Sequence, residues 1–166
     1  LSITGRSRRE QIELANAYQI SHYACPSGGC LLTDPGFARR LRDLLSHCPS
    51  PTLNDIELLK VGRHFRLSPS TKLVVGRNKG ENERLRALSQ KGDTILEAIG
   101  HNCPVSIARG PLSGAEALAS ARLEARYSDA PKGGPVDIAY RAHDGHGGTL
   151  KVTAASDEEI RCLRVN

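Results

Sequence analysis

Two cysteines lie in a glycine-rich stretch near the start of the chain, Cys25-Pro-Ser-Gly-Gly-Cys30. The nearby residues Thr33-Asp34-Pro35 predict a helix start, because a polar N-cap followed by proline is typical of the first helical turn. A helix start stabilises the thiolate form of a neighbouring cysteine. Cys30 is therefore a candidate for sulfur transfer or redox chemistry, and the alternative is a structural thiol of the loop.

The same stretch does not match a nucleotide or zinc site. A PP-loop ATP site reads roughly Ser-Gly-Gly-x-Asp-Ser, whereas Ser27-Gly28-Gly29 is followed by Cys30-Leu31-Leu32. No Gly-x-x-x-x-Gly-Lys-Ser/Thr loop occurs elsewhere. Zinc sites use tighter pairs of ligands, and His143 and His146 have no third ligand in the sequence around them. We therefore predict no cofactor and no metal in this chain.

A basic turn, Gly76-Arg77-Asn78, lies between a predicted strand and a predicted helix in the middle of the chain. At such a junction the backbone amides point outward and the helix dipole favours negative charge, so the turn can bind an anion such as phosphate. Asn78 can instead simply cap the helix, and this alternative stays open.

Composition favours a small globular protein with a basic surface. The chain has 166 residues, 23 Lys plus Arg against 18 Asp plus Glu, and a net charge of +5, which suits a nucleic-acid partner without proving one. The odd number of cysteines, five, argues against a secreted disulfide framework. There is no apolar run that could span a bilayer and no signal peptide. We expect a cytoplasmic protein with no membrane contact.

Apolar periodicity and turn residues predict an α+β fold, a mostly antiparallel sheet with packed helices preceded by a small helical segment. Helices are predicted over about 7–18, 35–46, 54–59, 81–89 and 113–127. Strands are predicted over about 62–67, 71–75, 93–98, 104–109, 136–140, 149–154 and 160–165. The Pro-rich stretch near residue 50 suggests a division into a helical segment, 1–50, and an α+β domain, 51–166.

A series of short motifs occurs in a fixed order between Gly62 and Tyr140. They are Gly76-Arg77-Asn78, Asn82, Leu85, the stretch from Pro104 to Arg109, and Tyr127-Ser128. This order resembles the NFACT-R domain of ribosome quality-control proteins, and the resemblance implies RNA binding. The Asp-x-Trp-x-His signature of that domain reads Asp93-Thr-Ile-Leu-Glu97 here, so the role of its Trp and His is not carried over.

Two motifs nearer the start give a second resemblance. Gly5-Arg6-Ser7-Arg8 and the stretch from Gly28 to Pro35 resemble the tail of bacterial PP-loop proteins related to tRNA thiouridylases. The resemblance implies that ATP and the transferase chemistry belong to a PP-loop domain absent from this chain, which begins at Leu1 and contains no Met. By the same resemblance, the expected partners are tRNA and that PP-loop domain.

The leading hypothesis is therefore a non-catalytic module that binds RNA, in particular tRNA, and positions it for a tRNA-modifying enzyme. Shape and backbone recognition are expected, because aromatic residues are only 4% of the chain. The candidate RNA contacts are Arg63, Arg66, Lys72, Arg77, Asn78, Lys79 and Arg109. Tyr127 can stack on a base or pack at a helix end. The alternatives are sulfur transfer through Cys30 and docking on a protein or ribosome.

Overall fold

The structure is a computed structural model that describes residues 9–20, 30–131 and 133–165. The α-helices are α1 (Arg9–Ala17), α2 (Pro35–His47), α3 (Leu53–Leu58), α4 (Lys79–Leu88), α5 (Gly114–Tyr127) and α6 (Asp157–Leu163). The strands are β1 (Arg63–Ser68), β2 (Thr71–Val75), β3 (Asp93–Ala98), β4 (Ser106–Arg109), β5 (Pro135–Ala142) and β6 (Gly147–Thr153). No helix in these ranges is both long and apolar enough to span a bilayer.

All six strands form one sheet in the order β1-β2-β4-β3-β5-β6. Every neighbouring pair is antiparallel. The α+β architecture, the antiparallel sheet and the small helical segment before it confirm the predicted fold class. In the first hairpin Phe65 pairs with Leu73 and His64 with Val74, so alternate residues of β1 and β2 face opposite layers of helices.

The main core lies between the sheet and α5. Phe65, Leu73, Leu96 and Ile138 are fully buried on this face of the sheet. Small residues of α5 such as Ala121 let the helix lie close to the strands. Burial of these side chains is the main favourable contribution to folding.

A second layer covers the opposite face only at the β1-β2-β4 end. Leu58 of α3 and Leu85 of α4 pack there against Val74 and Ile107. The β3-β5-β6 end of this face has no helix from the described ranges among its main packing partners. The helices of this second layer therefore lie next to the turn that joins β2 to α4.

A predicted strand at the end of the chain is wrong, because residues 157–163 form helix α6. Ser156 Oγ accepts from Glu159 N, and the Glu159 carboxylate accepts from Ser156 N. This reciprocal capping box starts a helix, and the sequence Ser-Asp-Glu-Glu was its signal. Only Arg164 forms an isolated antiparallel bridge, to Phe65 at the outer edge of β1.

The other predicted caps have different outcomes. Asp34 accepts from Phe37 N and caps α2, as expected. At the start of α5, Ser113-Gly-Ala-Glu116 has the sequence pattern of a capping box. Ser113 Oγ donates to the Glu116 carboxylate and makes no bond to the helix backbone, so the box does not form. Ser7-Arg-Arg-Glu10 has the same pattern and predicts a box at the start of the first helix, but Ser7 lies outside the described residues.

Asp43 connects α2 to the sheet. Its carboxylate accepts from Arg66 Nε at 3.0 Å and NH2 at 2.7 Å, and from Lys72 Nζ at 3.1 Å. Phe37 and Leu44 of the same helix pack on Leu59. These contacts cross residue 50, where the two domains were predicted to divide, and that division stays a prediction.

Glu124 is a fully buried acid in the contact between α5 and the sheet. Ser106 Oγ donates to its Oε2, and Oε1 has no partner in the described part of the chain. Burial raises the pKa of Glu124 to about 8, against the hydrogen bond from Ser106 and with help from the charge of Glu97. The carboxyl is therefore mostly protonated at neutral pH.

Replacing Glu124 with Gln should flatten the dependence of stability on pH. The folded pKa of about 8 lies above the ordinary 4.5, so this group's contribution is complete below pH 4.5 and is lost as the pH rises towards 8. The wild-type free energy of unfolding should fall by up to about 1.4 kcal/mol per pH unit within this window. Urea denaturation of wild type, Glu124→Gln and the exposed control Glu158→Gln measures this. Equal slopes in wild type and Glu124→Gln would show that Glu124 does not titrate there.

Asp43→Asn should destabilise the fold by about 3 kcal/mol, because it leaves Arg66 and the buried Lys72 without a counter-charge. The control is Asp137→Asn, whose exposed pair with Lys151 spans 3.9 Å and should contribute less than about 1 kcal/mol. Urea denaturation near neutral pH compares the two. A loss no larger than that of the control contradicts the role given to Asp43.

Candidate nucleic-acid interface

The Gly76-Arg77-Asn78 turn lies where β2 ends and α4 begins. Gly76 N donates to Val105 O at 3.0 Å, which continues the sheet into the turn. Asn78 Oδ1 accepts from Glu81 N at 3.0 Å, so Asn78 is the N-cap of α4. The capping role confirms one of the two interpretations of Asn78. It leaves the amides of Lys79 and Gly80 in the first turn of the helix available to an anion.

Gly76 is required by a close contact. A Cβ atom at this position would lie 2.1 Å from Asn82 Oδ1. That oxygen accepts from Val105 N at 3.1 Å and so holds the start of β4 beside the turn. The side chain of Asn82, one of the motif residues, therefore positions the turn.

Arg63 joins three elements at this place. Its guanidinium lies 4.6 Å from the centre of the Tyr127 ring, and its NH1 donates to Gly76 O at 3.2 Å. The Tyr127 ring also packs on Phe65, with 6.1 Å between ring centres. Tyr127 thus packs at the end of α5 and holds a cation over its face.

These residues line one open hollow of about 390 Å³, here called the turn hollow. Four of the seven candidate contacts lie in its wall, namely Arg63, Arg77, Asn78 and Lys79. The wall also includes Asn82, Asn102, Cys103, Pro104, Tyr127 and Asp129. Asn102 Nδ2 donates to Asp129 at 3.1 Å. Sequence reasoning missed Asn102 and Asp129, which come from loops that only the fold brings to the turn.

Glu81 affects the charge of the turn hollow through its contacts with Arg77. It accepts from Arg77 N at 2.9 Å and from Arg77 Nε at 3.0 Å. Burial alone would raise the pKa of Glu81, but donors from Arg77 and the Gly62 amide hold the pKa below its ordinary value. Glu81 is therefore ionised and orients the half-exposed Arg77. Lys79 is exposed and has no ion pair within the described ranges.

A family model described as the NFACT protein RNA binding domain matches residues 62–163. The chain belongs to this family. The matched segment contains the basic turn, Asn82 and Tyr127. The chain is therefore an RNA-binding domain, which confirms the RNA partner and the NFACT-R resemblance.

A solved structure gives independent support for the fold of this NFACT RNA-binding domain. The chain is similar to the C-terminal part of the fibronectin/fibrinogen-binding protein from Streptococcus suis, at 16% identity and a TM-score of 0.55. The alignment covers 78% of this chain and 68% of that one. At this identity the likeness concerns the fold alone. No curated protein sequence matches the chain.

The other three candidate contacts are held inside the domain. Arg66 and Lys72 both bind Asp43. Burial lowers the pKa of Lys72, although Asp43 opposes the shift. Arg109 binds Asp93 and Asp55 and also donates to Leu88 O, as shown by contacts of 2.7–3.2 Å. These three cations have structural partners, and their contact with RNA stays a prediction.

A larger hollow of about 450 Å³ lies over β3, β5 and β6. Its wall contains Arg141, but its Arg86 is paired with Glu97. Its net charge is therefore lower than that of the turn hollow, and a phosphate backbone has less reason to bind there.

The cysteine and histidine candidates lie elsewhere. Cys30 is exposed and directly precedes a single 3-10 turn, Leu31–Thr33, while Cys25 lies outside the described residues. His143 and His146 flank the tip of the β5-β6 hairpin. In the described part of the chain, no three His, Cys, Asp or Glu side chains gather in a metal-binding group. Sulfur transfer through Cys30 stays a prediction.

Gly76→Ala should lower both stability and RNA affinity. The added methyl must displace the Asn82 amide, which costs a buried hydrogen bond and causes overpacking, together about 1–3 kcal/mol. Gly114→Ala is the control, because a Cβ there meets nothing within 4 Å. Urea denaturation and RNA binding measure the two variants. If Gly76→Ala matches the control in both assays, the close contact at Gly76 is not required.

Proposed function

We propose that the turn hollow binds the phosphate backbone of RNA, that the RNA is tRNA, and that the domain presents it to a PP-loop tRNA-modifying domain absent from this chain. The observation that carries the proposal is the convergence of Arg63, Arg77, Asn78 and Lys79 on one hollow. The residues reach it from β1 and from the β2-α4 turn.

The chemistry of the hollow suits a phosphodiester. Lys79 and the outer part of Arg77 supply cations, and the first amides of α4 supply donors along the helix dipole. Asn78 keeps its side-chain NH2 as a further donor, because only its oxygen is used in capping. Contacts of this kind fix the position of an RNA but do not read its sequence.

Tyr127 gives the hollow a limited capacity for stacking. Arg63 lies over its ring and itself presents a flat guanidinium to the hollow. An unpaired base at the end of the bound RNA backbone can stack on this guanidinium plane. Most of the remaining wall is polar, apart from Cys103 and Pro104, so recognition depends on backbone shape.

The resemblance of residues 5–8 and 28–35 to the tail of PP-loop proteins supports tRNA as the target and a tRNA-modifying enzyme as the context. In this arrangement ATP and catalysis belong to the PP-loop domain, and the present domain holds the substrate. If the domain instead docks on a protein or the ribosome, it should bind that partner and should not bind free RNA.

Binding of the full chain to labelled bulk tRNA across a salt series, with single-stranded DNA as competitor, tests the proposal. Arg77→Ala and Lys79→Ala should each reduce the salt slope by about one unit, because each removes one phosphate contact. Lys151→Ala, on the opposite edge strand β6, is the matched control and should keep the wild-type slope. Unchanged slopes for both turn variants would reject the turn hollow as the RNA site.

The wild-type result separates the remaining alternatives. Preference for folded tRNA over single-stranded DNA supports the tRNA assignment. Equal binding of both keeps RNA binding but rejects tRNA as the specific target. Absence of binding at low salt rejects the RNA-positioning role and favours docking on protein.

A further inference from the structure

A second cavity adjoins the turn hollow at the outer edge of β1 and has a volume of about 360 Å³. We call it the junction pocket, because α2, the start of β1 and residues 164–165 form it. Its wall is formed by Gly36, Arg39, Arg40, Gly62, Arg63, His64, Arg77, Arg164 and Val165. Among the described residues, the wall therefore has five arginines and no carboxylate.

Three of these arginines lack a direct ion-pair partner in the described part of the chain. Arg39, Arg40 and Arg164 form no ion pair with any residue of the described ranges, and Arg40 Nε is buried without a hydrogen-bond partner. Burial and the charge of Arg77 lower the pKa of Arg40, while Asp34 and Glu81 act in the opposite direction. A guanidinium held in this way lacks an acceptor, and an anion would supply it.

His64 forms a neutral part of the wall. It is 2% exposed, and its Nε2 lies 2.8 Å from Val61 O. Because a carbonyl oxygen only accepts, we place the proton on Nε2, which leaves Nδ1 as a buried acceptor without a partner. Burial, together with the charges of Lys72 and Arg40, keeps the pKa of His64 well below its ordinary value. The positive charge of the pocket thus comes from the arginines.

The position of the three unpaired arginines is informative. Arg39, Arg40 and Arg164 all lie outside residues 62–163, which match the family model. Contacts on both sides of β1 bring them to its edge: Asp43 holds α2 to Arg66, and Val165 N donates to His64 O at 2.9 Å. Arg63 and Arg77 line both cavities, so the two are neighbours.

We propose that the junction pocket binds a second phosphate group of the same RNA, and that α2 and the C-terminal residues thereby extend the RNA site beyond the family domain. This inference rests on the proposed function of the turn hollow. The guanidinium groups of Arg39, Arg40 and Arg164 bind the phosphate oxygens as forked donors. Arg63 and Arg77 separate this phosphate from the one at the β2-α4 turn. The phosphate is either an internal diester or the terminal monophosphate of an RNA end.

The test uses the full chain and compares Arg39→Ala, Arg40→Ala and Arg164→Ala with Arg42→Ala. Arg42 is an exposed arginine of the same helix that does not line the pocket. Each of the three pocket variants should weaken RNA binding, and removal of all three arginines together should reduce the salt slope by about one unit, because together they neutralise one phosphate. Arg42→Ala should keep the wild-type affinity and slope. Arg39 and Arg164 are exposed, so their variants stay informative even if Arg40→Ala unfolds.

Two RNA probes distinguish the source of the phosphate, a 5′-phosphorylated RNA and the same RNA with a 5′-hydroxyl. If the pocket binds a terminal phosphate, the wild type prefers the phosphorylated probe and the Arg39→Ala variant loses this preference. If it binds an internal diester, the wild type binds both probes equally, and the variants weaken both.

The outcomes for the two cavities are separable. If Arg39→Ala and Arg164→Ala bind as the wild type while Arg77→Ala is weakened, the junction pocket is rejected and the turn hollow stands. If Arg77→Ala and Lys79→Ala bind normally while the pocket variants are weakened, the turn hollow is rejected as the main site. A wild type that binds neither probe at low salt overturns both proposals.

Discussion

The position of α2 depends on one mostly buried carboxylate, Asp43. It binds Arg66 of β1 and Lys72 of β2 at the same time. A carboxylate that is removed from water needs opposite charges and hydrogen-bond donors around it. Helix α2 can therefore pack on the sheet only where both Arg66 and Lys72 reach Asp43. Phe37 and Leu44 add apolar contacts at the same place. This fixed docking brings Arg39 and Arg40 to the edge of β1.

Burial divides the cations of this domain into two groups. Arg66, Lys72 and Arg109 are enclosed with Asp43, Asp55 and Asp93, and they hold layers of the fold together. A second group consists of cations that face open cavities and form no ion pair with any described residue, such as Lys79, Arg39 and Arg164. RNA phosphates replace water most easily around the second group, because no existing ion pair must first be broken. The net charge of +5 therefore does not show how unevenly the available positive charge is distributed over the surface.

Two close contacts give the turn its shape. The space over Gly76 is filled by the Asn82 amide, and Arg63 is held between the Gly76 carbonyl and the Tyr127 ring. Both contacts hold the turn against the sheet of the family domain. The backbone amides at the start of α4 therefore keep a fixed orientation. Arg63 also forms part of both cavity walls, which makes it the physical link between the two phosphate positions.

The sequence alone determined the elements whose signals are local. The strand-turn-strand pattern of β1 and β2, the caps at Asp34 and Asn78, and the motif order of an NFACT RNA-binding domain could all be recognised without a structure. The helix at 157–163 was not predicted although Ser156 and Glu159 carry its capping signal, because residues 160–165 were predicted as a strand. Only the tertiary structure decided which cations are available to RNA. Lys72 and Lys79 have the same side chain, but one is enclosed with Asp43 and the other faces an open hollow. That difference arises from contacts between residues about 29 positions apart in sequence, which local patterns do not encode.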